Sequence, residues 1–143
     1  MNDFGAMDDL YRDFILDHYR NPRNAGTLTN PDATFEDNNP LCGDKIRMDL
    51  RVEDGKVTDV KFAGRGCAIS MASASLLTEQ IKGMPLTEIA KIGKDEVLAN
   101  VGINISAARL KCALLGIKVL KQALAMKYIP SPEEEAFPDG RPA

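Results

Sequence analysis

The chain has no tryptophan, one histidine and three cysteines. A single histidine excludes a multi-histidine metal site, and any Cys–His catalytic pair would have to use His18. An odd cysteine count without an export signal argues against a disulfide framework. No apolar run approaches the roughly 18 residues of a membrane span. Basic charge is not in excess either. Lys and Arg number 18 against 21 Asp and Glu, a net charge of -3, whereas a nucleic-acid partner usually needs a basic face. The opening stretch MNDFGAMDDLYRDF carries four acids and one arginine. Secretory signals start basic and transit peptides avoid acids, so a cytoplasmic location is expected. Neither nucleic acid nor membrane is an expected partner.

What is present is enough for one ordinary domain. The 143 residues are 44% hydrophobic and 27% charged, which can bury a core without staples. Leu10, Tyr11, Phe14, Ile15, His18 and Tyr19 recur at helical spacing, so a helix is expected over roughly 7–20, with residues 1–6 frayed. Asn21-Pro22 ends it. Ile46, Met48, Leu50 and Val52 alternate with polar residues, the period of a half-buried strand over 45–52. Glu53-Asp54-Gly55 reads as a hairpin turn. A second strand is expected over 56–63, where Val57 breaks parity with Val60 and Phe62 and marks a bulge. Ala33–Glu36 can add a short edge strand.

A helix rich in Ala and Ser should follow Cys67 and end at Gly83, close-packed on the sheet. Pro85 can open a short helix to about Ile92, and another short piece covers 94–100. The longest helix is expected over 106–127, with Ser106 as its N-cap and a core stripe of Ala107, Leu110, Leu114, Ile117, Leu120 and Leu124. Strands first and helices after point to an α+β fold, a small antiparallel sheet of about three strands with helices on one face. Residues 1–127 form the domain, and the Pro/Glu-rich 128–143 reads as a disordered tail.

The hairpin carries the chemical argument. Cys42 precedes its first strand by three residues and Cys67 follows its second by four. Arms of matched length return the chain to its starting end. The LCGD and GRGC loops should therefore meet at one end of the sheet, with Asp44 in the same loop as Cys42. A helix N-terminus at Cys67 favours the thiolate, the form that binds metal or attacks sulfur. Cys112 lies inside the last helix, off the strict stripe, and joins the others if that helix packs beside the loops. Three thiolates and a carboxylate match the four ligands of a zinc or iron–sulfur unit. On spacing alone, three separate buried cysteines remain equally open, and Asp44 by itself would read as a turn residue.

Four segments carry a resemblance: LYRDFILDHYRNPRNAG at 10–26, NPLCGDKIRM at 39–48, GRGCAISMASASLLTE at 64–79 and ARLKCALL at 108–115. Together they resemble the U-type iron–sulfur cluster assembly scaffold family, which comprises the IscU, NifU N-terminal and SufU branches and has a SufE/NifU-like fold. The resemblance implies that Cys42, Asp44, Cys67 and Cys112 hold the metal or cluster. It implies Cys42 and Cys112 as candidate persulfide acceptors. It also implies sulfur from a cysteine desulfurase, added iron, a [2Fe-2S] cluster passed to acceptor apo-proteins, and a homo-oligomer as one available state. Such a chain is a carrier rather than an enzyme.

Two departures matter. Lys111 stands where IscU-type scaffolds place a histidine, and Ile105–Arg109 lacks the proline of their chaperone-read segment. The run Arg109-Leu110-Lys111-Cys112 instead resembles the SufU branch, which implies zinc and a zinc-dependent sulfurtransferase as the alternative. The 44 residues between Cys67 and Cys112 match the shorter scaffold arrangement. Lys111 and Arg109 are residues set around the site, with Lys111 either beside the thiolate or a plain surface lysine. Lys45 and Arg65 flank the cysteine loops and can attract anionic sulfur or the desulfurase. Tyr11 aligns with a family tyrosine linked to partner contacts. His18 reads as a hydrogen-bonded structural histidine. A structural zinc module is the third reading, and it requires metal removal to unfold the domain.

Overall fold

The computed structural model describes residues 5–39, 43–102 and 105–125, with side chains from Arg12 onward except at Ala108. Helix α1 runs Gly5–Arg20, two residues earlier than the periodicity indicates. The Asn21 amide still bonds the Asp17 carbonyl at 2.8 Å, and Pro22 then has no N–H to continue the ladder. Strands β1 (Ala33–Asn39), β2 (Asp44–Glu53) and β3 (Lys56–Arg65) form one antiparallel sheet in that order. The β2–β3 turn is two residues long, with Asp54 at φ 53 and Gly55 at φ 75. Both central residues have positive φ, the conformation that suits a tight hairpin. The expected bulge is present as a register shift at Arg51/Val52, where Val52 pairs with Val57 and Arg51 with Asp59.

One sheet face is apolar. Ile46, Met48, Leu50, Val57, Val60 and Phe62 are all buried in the main core. Helices α2 (Ala68–Ile81) and α5 (Leu110–Ala125) cover it, with α2 over β3 and α5 over β1 and β2. The small residues of α2 serve close helix approach as much as sheet packing, because α1 and α5 both lie against it. The Ser73 hydroxyl donates to the Ala113 carbonyl of α5 at 2.7 Å. Two short helices, α3 (Leu86–Ile89) and α4 (Lys94–Val101), connect α2 to α5, and a 3-10 turn at Ala107–Arg109 leads into α5.

Two expectations need correction here. The α5 stripe is rotated, since Ala107 is exposed and Leu110 and Leu114 are half-buried. The buried residues are Cys112, Ala113, Leu115, Gly116, Ile117, Val119, Leu120, Ala123 and Leu124. The helix is clasped between the sheet on one side and α2 and α4 on the other, so a single narrow stripe cannot describe it. Ser106 takes the cap position, but its side chain makes no cap hydrogen bond. The opposite sheet face is partly roofed. Ala25 bridges Phe62 in parallel, and residues 26–32 then cross above Asp49 and Arg51 to reach β1. The tail assigned to 128–143 lies outside the described residues.

Candidate metal centre

The site starts from hairpin register. Lys45 pairs with Arg65 and Ile46 with Gly64, which places Asp44 beside the chain leaving β3. A Cβ at Gly64 would overlap the Lys45 carbonyl oxygen, so this pairing requires glycine. Gly66 has the same role toward side chains. An added Cβ there would collide with Ser70 Oγ and come within 2.6 Å of Asp44 Oδ1. The missing methyl leaves room for the Asp44 carboxylate to fold under the loop. Its Oδ1 accepts the Cys67 amide N–H at 3.0 Å.

Cys67 is the N-cap residue of α2 and is half-buried. Cys112 approaches from the first turn of α5 and is 0% exposed. A carboxylate oxygen of Asp44 and the sulfurs of Cys67 and Cys112 all lie within 4.8 Å of one another. Neither sulfur is in a disulfide. Asp44 is also 0% exposed. Its second oxygen, Oδ2, is buried and has no hydrogen-bond partner among the described residues. A buried carboxylate oxygen without a donor is costly. A cation among these donors removes that cost. Tetrahedral zinc holds sulfur at about 2.3 Å and oxygen at about 2.0–2.2 Å, so three donors this close can gather on one ion with little movement.

Cys42 lies outside the described residues. Asn39, buried, stands directly opposite Asp44 in the β1–β2 register. Arg109, Lys111 and Arg65 have exposed side chains. Lys45 pairs with Glu36 at 3.0 Å. The Tyr11 side chain is outside the described set. His18 is buried on the α1–α2 seam, where Nδ1 meets Ser75 Oγ at 2.8 Å and Phe14 stacks edge-on at 4.8 Å. Ser75 lies eight residues beyond Cys67, about 12 Å along the helix. Burial, and then the nearby Arg23 charge, push the His18 pKa down, against the pull of Glu79 and Asp17. Sequence reasoning missed Ser70. The signal available for it was a hydroxyl three residues into the helix that begins at a cysteine.

Comparison with known proteins gives the chain's family. Residues 10–132 match the family model for the NifU-like N terminal domain. The zinc-dependent sulfurtransferase SufU of Bacillus subtilis is 40% identical over 136 aligned positions, covering 83% of this chain and 92% of the relative. An iron–sulfur cluster assembly scaffold protein IscU of Archaeoglobus fulgidus is 34% identical over 115, covering 80% and 74%. A crystal structure of an iron–sulfur cluster assembly scaffold protein for the SUF system from Fervidobacterium islandicum superposes with TM-score 0.67. It is 30% identical and covers 78% of this chain and 93% of that one.

Proposed function

The chain belongs to the NifU-like N-terminal domain family, and from that premise we propose that it is an iron–sulfur cluster assembly scaffold. Cys42, Asp44, Cys67 and Cys112 are its donor set. The observation that carries the reading is the convergence of Asp44, Cys67 and Cys112 around a buried carboxylate oxygen that lacks a donor among the described residues. In this reading a cysteine desulfurase delivers sulfur to a cysteine of the site, with Cys42 and Cys112 as acceptors. Iron is then added, an external electron donor reduces each persulfide sulfur by two electrons to sulfide and so releases the cysteine thiolate, and the resulting [2Fe-2S] cluster passes to acceptor proteins. The chain's own contribution is to hold soft sulfur donors beside one oxygen donor. Oxygen binds soft metals less firmly than thiolate, which suits a carrier that must release its cargo.

A second reading is a zinc-dependent sulfur relay. The exposed side chain of Lys111 favours it, because a lysine turned to solvent supplies no further ligand beside Cys112. The tight grouping of three donors also suits a single ion. One measurement separates the two: iron, zinc and acid-labile sulfide in protein purified without air, for the native chain and for Asp44→Ala. Reconstitution with desulfurase, cysteine and iron should produce a visible cluster chromophore that Asp44→Ala retains longer. A colourless protein that keeps stoichiometric zinc and raises desulfurase turnover without iron would replace the scaffold reading with the relay.

A further inference from the structure

Ser70 lies one turn into α2 and is 1% exposed. Its hydroxyl donates to the Cys67 carbonyl oxygen at 3.1 Å. The same carbonyl accepts the Met71 amide at 3.1 Å. On the other side of residue 67, the amide donates to Asp44 Oδ1 at 3.0 Å. Both peptide planes flanking Cys67 are therefore held. The torsion about its Cα–Cβ bond is the main freedom left to the sulfur.

Ser70 Oγ stands 3.9 Å from Cys67 Sγ, within the longer reach of sulfur hydrogen bonds. A hydroxyl has one proton to give and two lone pairs. With its proton on the Cys67 carbonyl, it can accept the S–H of an unmetallated thiol. When the sulfur is bare, it can rotate and give the proton to sulfur instead. Oγ also sits beside the space that Gly66 leaves open, facing Asp44 Oδ1 across it. One buried oxygen thus touches the backbone and the sulfur of one candidate ligand and borders the carboxylate of another.

We propose that Ser70 is a positioning residue of the metal centre, its hydroxyl holding the Cys67 sulfur in the ligand position. This rests on the reading of Cys67 as a metal ligand. A purely local role is the competing explanation, because Ser and Thr often bond a carbonyl one turn back. Thr78 does this in the same helix, donating to the Ser75 carbonyl at 2.7 Å, and it is eleven residues from Cys67. It is the natural control.

The test is zinc affinity by chelator competition on the full chain, together with urea unfolding of the metal-free protein. Groups that orient metal ligands typically cost about 10–100-fold in affinity when removed. Ser70→Ala should weaken zinc binding by at least about tenfold on that scale. Thr78→Val should lose stability but bind zinc as the native chain does. Ser70→Thr keeps a hydroxyl able to bond the same carbonyl and should recover most of the affinity. The proposal is overturned if Ser70→Ala binds zinc as tightly as the native chain, if Thr78→Val loses affinity in parallel, or if metal-free Ser70→Ala does not fold. Failure of the native chain itself to bind zinc or iron would instead overturn the metal-site reading.

Discussion

An added Cβ at Gly66 would press on Ser70 Oγ and on Asp44 Oδ1 at 2.6 Å. Neither neighbour can retreat easily, since both are buried and both are bonded to Cys67. The backbone at Gly66 is not in the left-handed region, so the cost of a side chain there is steric alone. Gly66→Ala should destabilise the fold by about 1–3 kcal/mol, the range for overpacking a filled site. If Asp44 is a ligand, as proposed, it should also weaken zinc binding at least about tenfold, because the carboxylate is displaced. Urea unfolding and chelator competition read the two effects separately. Native zinc affinity in Gly66→Ala would mean that the Asp44 carboxylate does not take part. The contrast with Gly64 is informative. There the conflict is with the Lys45 carbonyl, so a substitution would disturb the sheet before it disturbed the site.

At the level of elements, the site is a hairpin end closed by a helix that arrives from elsewhere. Asp44 and Cys67 were legible as neighbours, because strand alternation at Ile46, Met48 and Leu50 and the turn at Asp54-Gly55 are local signals. Even the bulge was readable from Val57. Cys112 was not readable in the same way. Its place depends on how α5 docks, and that docking is set by Gly116 against Ala74 and by Ser73 bonding the Ala113 carbonyl. The loop over Asp49 was equally hidden, since its bonds run from a backbone amide and an arginine to partners twenty or more residues away. Gly116 offers the test of this seam. A Cβ there would lie 3.4 Å from Ala74 Cα and 3.6 Å from Met48 Cε, ordinary contact. Gly116→Ala should be neutral or stabilising by about 0.5–1 kcal/mol, the usual gain over glycine inside a helix. Gly116→Leu should force α5 away from α2, cost about 1–3 kcal/mol or more, and carry Cys112 out of range of Asp44. Loss of zinc binding in Gly116→Leu alone would confirm that this seam places the third donor. Equal binding by both variants would refute it.

Across the whole molecule, the main apolar core is distinct from the candidate metal centre. None of Asp44, Cys67 and Cys112 belongs to the main core cluster, which joins the sheet, α2 and α5 through residues such as Leu50, Phe62, Leu77 and Leu120. That separation argues against a structural zinc module, whose fold would depend on its metal. Two buried polar groups tie the fold to solution pH. Asp49 is 1% exposed under the crossing loop. Burial alone would raise its pKa, but donors from Arg47, Thr34 and the Leu28 amide outweigh it and hold the carboxyl below the usual range. His18, pushed down by burial, prefers to stay neutral in the fold. The signs then follow from linkage. The unfolded chain takes up a proton at His18 first, so stability is full above about pH 6.5 and declines as pH drops below it. The Asp49 contribution is present above about pH 3.9 and is lost as pH falls through the depressed folded value. Acid unfolding of the metal-free protein should therefore weaken in two stages. His18→Gln should flatten the upper stage. Asp49→Asn cannot accept all four donor contacts. It should cost about 1–3 kcal/mol near neutral pH and flatten the lower stage. Urea midpoints measured from pH 3 to pH 8 for the three proteins decide it, and an Asp49→Asn profile parallel to the native one would show that the loop over the sheet is anchored by other contacts.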